Sequence, residues 1–152
     1  MAYTTIEARQ QLLDSLASAA EELALALAEL SEAYEQVDDA AAERIEEDLF
    51  RPVQAAYGRA KRALAGFAAR HGIAARELDQ APASAPGNGA RALLERAVAH
   101  VQAADDALAS LQDSMLPVEV GDAELRAALS AVRTALDHTG ARAREVVRTL
   151  GR

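Results

Sequence analysis

His71, His100 and His138 are the only histidines in the chain, and there is no cysteine. Helical proteins that bind a di-iron centre place a Glu three residues before a His, so that both project inward from one helix face. Here the residues three before the histidines are Ala68, Ala97 and Ala135, and that ligand pattern does not occur. Without thiols, thiolate metal sites, disulfides and cysteine nucleophiles are all excluded. Gly87 and Gly89 in "GNGARA" match a dinucleotide fingerprint only as letters. Such a loop must follow a strand, and the preceding "DQAPASAP" is not one. The expectation from these residues is a chain that is not an enzyme, with no catalytic residues, no metal and no cofactor. His71 falls where the last turn of a helix favours a cation, His100 flanks an apolar row, and His138 lies on an outer face.

The densest charge is in "DDAAAERIEEDLFRP", residues 38–52, where six acids and two arginines end on Pro52. A hard cation such as Ca²⁺ needs six or more converging oxygens, whereas carboxylates spaced along a helix diverge. Asp38, Asp39 and Glu43 suit the first turn of a helix, whose free N–H groups favour negative charge. The stretch reads first as the solvated start of a helix; the alternative is a dock for a basic protein partner, with Glu43, Glu46, Glu47 and Asp48 as its candidate contacts. Their counterpart is Arg142, Arg144 and Arg148, set against a single nearby acid, Glu145. The split runs through the whole chain. Residues 1–50 hold 13 acids against Arg9 and Arg44, a balance of −11; residues 51–152 hold 14 bases and 11 acids, a balance of +3. A nucleic-acid surface would need a wider basic stripe and aromatics for stacking, so no nucleic-acid partner is expected.

Aromatics are few, and Tyr34, Tyr57 and Phe67 lie on either side of Pro52 in a background of alanine. If the packing opens at that proline, they are the candidate lining for a small apolar ligand or cofactor.

The elements that must position these residues are helices, since Ala, Leu, Glu and Arg dominate. Apolar residues at heptad spacing from Ile6 to Val37 predict a helix over about 5–37. Asp38 and Asp39 then cap a second helix, about 39–71, whose row Ile45, Leu49, Val53, Ala56, Ala60, Leu64 and Phe67 is spaced 4-4-3-4-4-3. Pro52 removes a backbone donor inside it, so a kink or a restart is expected there. Gly72 is placed to end it in a left-handed conformation. Leu94, Ala97, Val101, Ala104, Leu108 and Leu111 predict a third helix over about 90–114. Asp122 caps a fourth, about 122–150, with Leu125, Leu129, Val132, Leu136, Thr139, Ala143, Val146 and Leu150 along one side.

The fold class read from this pattern is all-α: an antiparallel four-helix bundle of two long helical hairpins, joined by an irregular 72–89 connection. It forms a single domain over 1–152. The connection is long enough to start the third helix at either end, so the topology stays open. The N-terminus has no basic and apolar leader, and no apolar run is long enough to span a bilayer. A helix lying on a membrane surface would carry Lys and Arg on its polar face, where the first helix carries Glu7, Asp14, Glu21, Glu22, Glu29 and Glu35. The expected location is cytoplasmic, away from membranes. The expected function is non-enzymatic protein–protein association, as a homodimer or with a protein partner. The alternative is a bundle that binds a small apolar ligand or cofactor in its core near Pro52.

Overall fold

The computed structural model of the chain describes residues 2–78 and 89–150, with side chains from Thr5 onward; Met1, residues 79–88, Gly151 and Arg152 lie outside the described residues. Every element in it is a helix, and among the described residues there is no strand. In order these are α1 (Ala2–Glu35), α2 (Asp39–Arg44), a wide turn (Ile45–Phe50), α3 (Arg51–His71), α4 (Ala90–Asp113), α5 (Leu116–Glu119), α6 (Ala123–Leu136) and α7 (Thr139–Leu150).

The element boundaries follow from local chemistry. Asp38 is extended and its carboxylate accepts the Ala41 N–H at 2.9 Å, which starts α2 as an N-cap should. At the far end of α3, Gly72 sits at φ 65°, ψ 33°, a conformation that glycine adopts without a Cβ penalty. The Ile73 N–H reaches back to the Ala68 carbonyl at 3.0 Å and closes the helix end. Asp122 caps α6 through the Leu125 N–H at 2.8 Å.

Between α2 and α3 the chain stays helical but widens. Over Ile45–Phe50 the bonds run from residue i+5 to i, the Arg51 N–H reaching Glu46. Pro52, which has no N–H to continue the regular bonding, follows directly after this turn as the second residue of α3. The expected disturbance at Pro52 is thus a widened turn on its N-terminal side, and the helical path from 39 to 71 continues through it.

One apolar core unites the helices. Leu12, Leu13, Leu16 and Leu23 of α1 meet Ile45, Leu49, Val53 and Phe67 from the second stretch, with Leu93, Leu94 and Leu108 of α4 and Leu125, Leu129 and Val132 of α6. α1 packs chiefly against α4 and α3; α3 packs also against α6, and α4 against α7 and α6. Side-chain pairs give the directions. Glu29 lies beside Arg96 and Glu22 beside His100, so α4 runs opposite to α1. Arg70 lies beside Asp122, and a shallow groove brings Arg59 and Arg62 beside Ala131, so α6 runs opposite to α3. Asp105 lies beside Arg133 and Gln112 beside Ser130, so α6 also runs opposite to α4.

These pairs answer the question of the 72–89 connection. Residue 72 ends α3 next to the start of α6, while Gly89 and Ala90 lie beside Gln36 and Val37 at the other end of α1. The two ends of the connection therefore lie at opposite ends of the helices. Its first part is held to α1, with Arg76 on Glu21 at 2.8 Å and Ile73, Ala75 and Leu78 packed on the core. Residues 79–88 of it lie outside the described residues.

The predicted fourth helix needs correction. Residues 122–150 form two helices, α6 and α7, parted at Asp137 and His138. The buried row continues across the break through Leu136, Thr139, Ala143 and Val146, so both pieces stay on the core. Thr139 is 4% exposed and its hydroxyl finds no hydrogen-bond partner among the described residues. The connector after α4 is likewise more regular than expected, since Leu116–Glu119 makes a helical turn, α5.

Candidate functional site

The elements that carry the two charged clusters pack together. α7 packs on the wide turn and on α2, which brings the Arg142–Arg148 stretch to the end that carries Glu43–Asp48. An open cleft of about 570 Å³ marks the seam, bounded by Asp38, Ala41 and Arg44 on one side and by Thr149 and Leu150 on the other.

Within this end the ionic side chains divide into two sets. Glu46 pairs with Arg51 at 3.6 Å across the wide turn, and Arg148 pairs with Glu145 one turn before it. Glu43, Glu47, Asp48, Arg142 and Arg144 make no ion pair or hydrogen bond through their side chains among the described residues. Glu43, Glu47, Arg142 and Arg144 are exposed, and Asp48 is half-buried.

Elsewhere, several charges pair between helices. The tightest group is at the opposite end. Asp122 accepts from Arg70 Nε at 2.8 Å and Nη2 at 3.0 Å, faces His71 Nε2 at 2.9 Å, and still caps α6. Arg70 also reaches Glu124 at 2.9 Å. The Arg70 hydrogen bonds, more than the Leu125 N–H and His71, hold the Asp122 carboxyl well below the usual carboxylate range, against the desolvation that would raise it. The same contacts raise Arg70. His71 further stacks on Phe67, ring centroids 4.3 Å apart. His100 faces Glu22 at 2.7 Å, and Arg133 holds Asp105 at 2.9 Å and Gln112 at 2.9 Å. His138 is exposed.

The last-turn position expected for His71 holds, but its carboxylate partner was not foreseen. Nor was the pairing of Glu21, Glu22 and Glu29, which the sequence places on a solvated face of the first helix. The partners are 51 to 78 residues away along the chain, and no local pattern marks them. Only the capping position of Asp122 was readable.

The aromatic candidates do not share a wall. Phe67 is fully buried beside His71, Tyr34 is 42% exposed in the last turn of α1, and Tyr57 is half-buried beneath Lys61, whose ammonium is 5.2 Å from the ring centre. Tyr57 and Phe67 are ten residues apart on one helix, about 15 Å at about 1.5 Å per residue. Around Pro52 the core positions Ile45, Leu49, Val53 and Ala56 are at most 1% exposed.

Among the described residues no three His, Asp or Glu side chains are grouped to hold a metal ion, and no helix is long and apolar enough to cross a membrane. No protein-family model, curated protein or solved structure matches the chain.

Proposed function

We propose that this chain is a non-enzymatic interaction protein, a single-domain antiparallel four-helix bundle that associates with a second copy or with a protein partner in the cytoplasm. Its contact region is the charged end that carries Glu43, Glu46, Glu47 and Asp48 beside Arg142, Arg144 and Arg148. One observation carries this reading. Glu43, Glu47, Arg142 and Arg144, charges of both signs, are exposed and unpaired on elements that pack against one another. Charges left in this state add little to folding, and they give an approaching partner orientation and speed.

Native mass spectrometry of the protein purified from its own cells tests the reading. The expected result is a doubled mass or a bound partner, lost when Glu43, Glu46, Glu47 and Asp48 are neutralised or when Arg142, Arg144 and Arg148 are changed to Gln. A single uncomplexed mass in the unaltered protein, or association indifferent to both sets of changes, would sink it.

A further inference from the structure

From Glu43 to Arg62 the chain is one uninterrupted helical path, through the end of α2, the wide turn and the first half of α3. One side of it enters the core at Ile45, Leu49, Val53, Ala56 and Ala60. The other side is exposed at Glu43, Glu47, Arg51, Ala55, Arg59 and Arg62. Those residues are four, four, four, four and three apart. In an α-helix a step of three or four is about one turn of 3.6 residues. In the wider i→i+5 turn, four is closer still to a full turn. The six residues therefore stack along one outer face.

Charge on this face is segregated by position. Glu43 and Glu47 occupy its beginning, Arg59 and Arg62 its end, and Gln54 and Ala55 the middle. Arg51 is already answered by Glu46. Lys61, beside the basic half, rests over Tyr57. Glu43, Glu47, Arg59 and Arg62 make no ion pair among the described residues. The like charges at each half repel one another. Within a turn on this face Glu47 has only Arg51, itself paired with Glu46, and the two halves do not neutralise each other, since Glu47 and Arg59 are twelve residues, about 18 Å, apart along the helix. That exceeds the screening distance of about 10 Å at about 0.1 M salt.

A face whose charge reverses about its midpoint is complementary to itself in the antiparallel sense. A two-fold axis passing near Pro52 and Val53 sets Glu43 against Arg62 of a second copy and Glu47 against that copy's Arg59. Applied both ways, the symmetry gives four opposite-charge pairs, as an isologous interface requires. Between the charged halves Ala55 carries little side chain, and the Arg62 guanidinium lies 3.3 Å from where a Cβ on Gly58 would sit.

We infer that the partner of this chain is a second copy of itself, docked antiparallel along the Glu43–Arg62 face on a two-fold axis near residues 52–53. This rests on the reading that the chain works by association. It adds the partner, and it takes the basic half of the contact from α3 in place of α7. One helix face is smaller than the roughly 1,200 Å² of a stable interface, so the dimer belongs to the weak, salt-dependent class.

The test uses two full-length variants. In Glu43→Lys/Glu47→Lys the face is entirely basic, and in Arg59→Glu/Arg62→Glu it is acidic at both ends, with only Arg51 left as a base between them. Sedimentation is measured at roughly 100 µM in low salt, a range suited to a micromolar dimer. The unaltered protein is expected to dimerise, each variant alone to bind itself at least about tenfold more weakly, and an equimolar mixture to regain a dimer of one copy of each. Helical circular dichroism checks that both variants fold. Monomers in the unaltered protein at up to about 1 mM, dimers persisting in both variants, or a mixture that stays monomeric would each overturn the inference. If the unaltered protein dimerises and only changes to Arg142, Arg144 and Arg148 dissociate it, this face is wrong and the wider association reading survives.

Discussion

At the scale of the residue, Asp122 has the most to do. It caps α6 and at the same time receives Arg70 and His71 from the end of α3, so one carboxylate joins two helices that start and stop there. Its pKa is depressed in the folded chain. The stability it contributes is therefore fully present above the ordinary carboxylate value of about 3.9 and is lost as the pH falls below it toward the folded value. Asp122→Ala is expected to cost at least the roughly 1 kcal/mol of a lost cap. Asp122→Asn keeps a capping oxygen and loses only the charge. It should remain closer to the unaltered protein at neutral pH and show a shallower fall in stability below about pH 4. Urea unfolding across that range checks this, and parallel pH profiles for the Asn variant and the unaltered protein would contradict it. The cap itself was legible in the sequence, since an Asp before "AELRAAL" is a local signal. The clasp was not, because its partners come from 51 and 52 residues earlier and depend on which helix lies alongside.

At the scale of the element, the apolar rows were legible, while of the two breaks only the one at Pro52 was marked, and not its form. The 4-4-3 spacing from Ile45 to Phe67 forecasts the buried face correctly, and Pro52 marks where the regular bonding fails. Nothing in that spacing says that the failure takes the form of a widened turn. The break between α6 and α7 is harder still. The row Leu129, Val132, Leu136, Thr139, Ala143 and Val146 keeps its 3-and-4 rhythm straight through Asp137 and His138, so the pattern of burial carries no trace of it. What interrupts the helix is a run of weak helix formers, Asp137, His138, Thr139 and Gly140. Gly140 lies in the first turn of α7 with an ordinary negative φ, and a Cβ there would meet nothing closer than the Arg144 guanidinium at 3.6 Å. Gly140→Ala should thus stabilise the protein by about 0.4–1 kcal/mol, by restricting the unfolded chain. A rise in the urea midpoint at unchanged slope is the expected result. Destabilisation would mean that the backbone at the break needs the freedom of glycine.

At the scale of the whole molecule, the open matter is what selects the path of the 72–89 connection, since its length alone allows α4 to start at either end. Two sets of contacts favour the observed placement of α4. One is ionic: Glu21 with Arg76, Glu22 with His100 and Glu29 with Arg96 hold the connection and α4 along α1. The other is apolar: Leu93, Leu94, Ala97, Val101, Ala104 and Leu108 of α4 are buried in the core. Magnitudes decide between them. Arg76 and Arg96 are 39% and 40% exposed in their side chains, so solvent screens their pairs, and each pair is worth at most about 1 kcal/mol. A single buried leucine contributes about 1.5–3 kcal/mol on leaving water, and α4 buries several. The core therefore sets that placement and the acids of α1 only adjust it. The triple change Glu21→Gln, Glu22→Gln, Glu29→Gln is expected to lower stability by no more than about 2–3 kcal/mol. It should leave the spectrum and the compactness of the folded chain unchanged. Leu94→Ala alone should cost about as much, about 2–5 kcal/mol, because it leaves a cavity where α4 enters the core. Urea unfolding and small-angle scattering on the two variants separate the accounts. If the triple variant expands or loses cooperative unfolding while Leu94→Ala does not, then charge and not burial chooses where α4 lies.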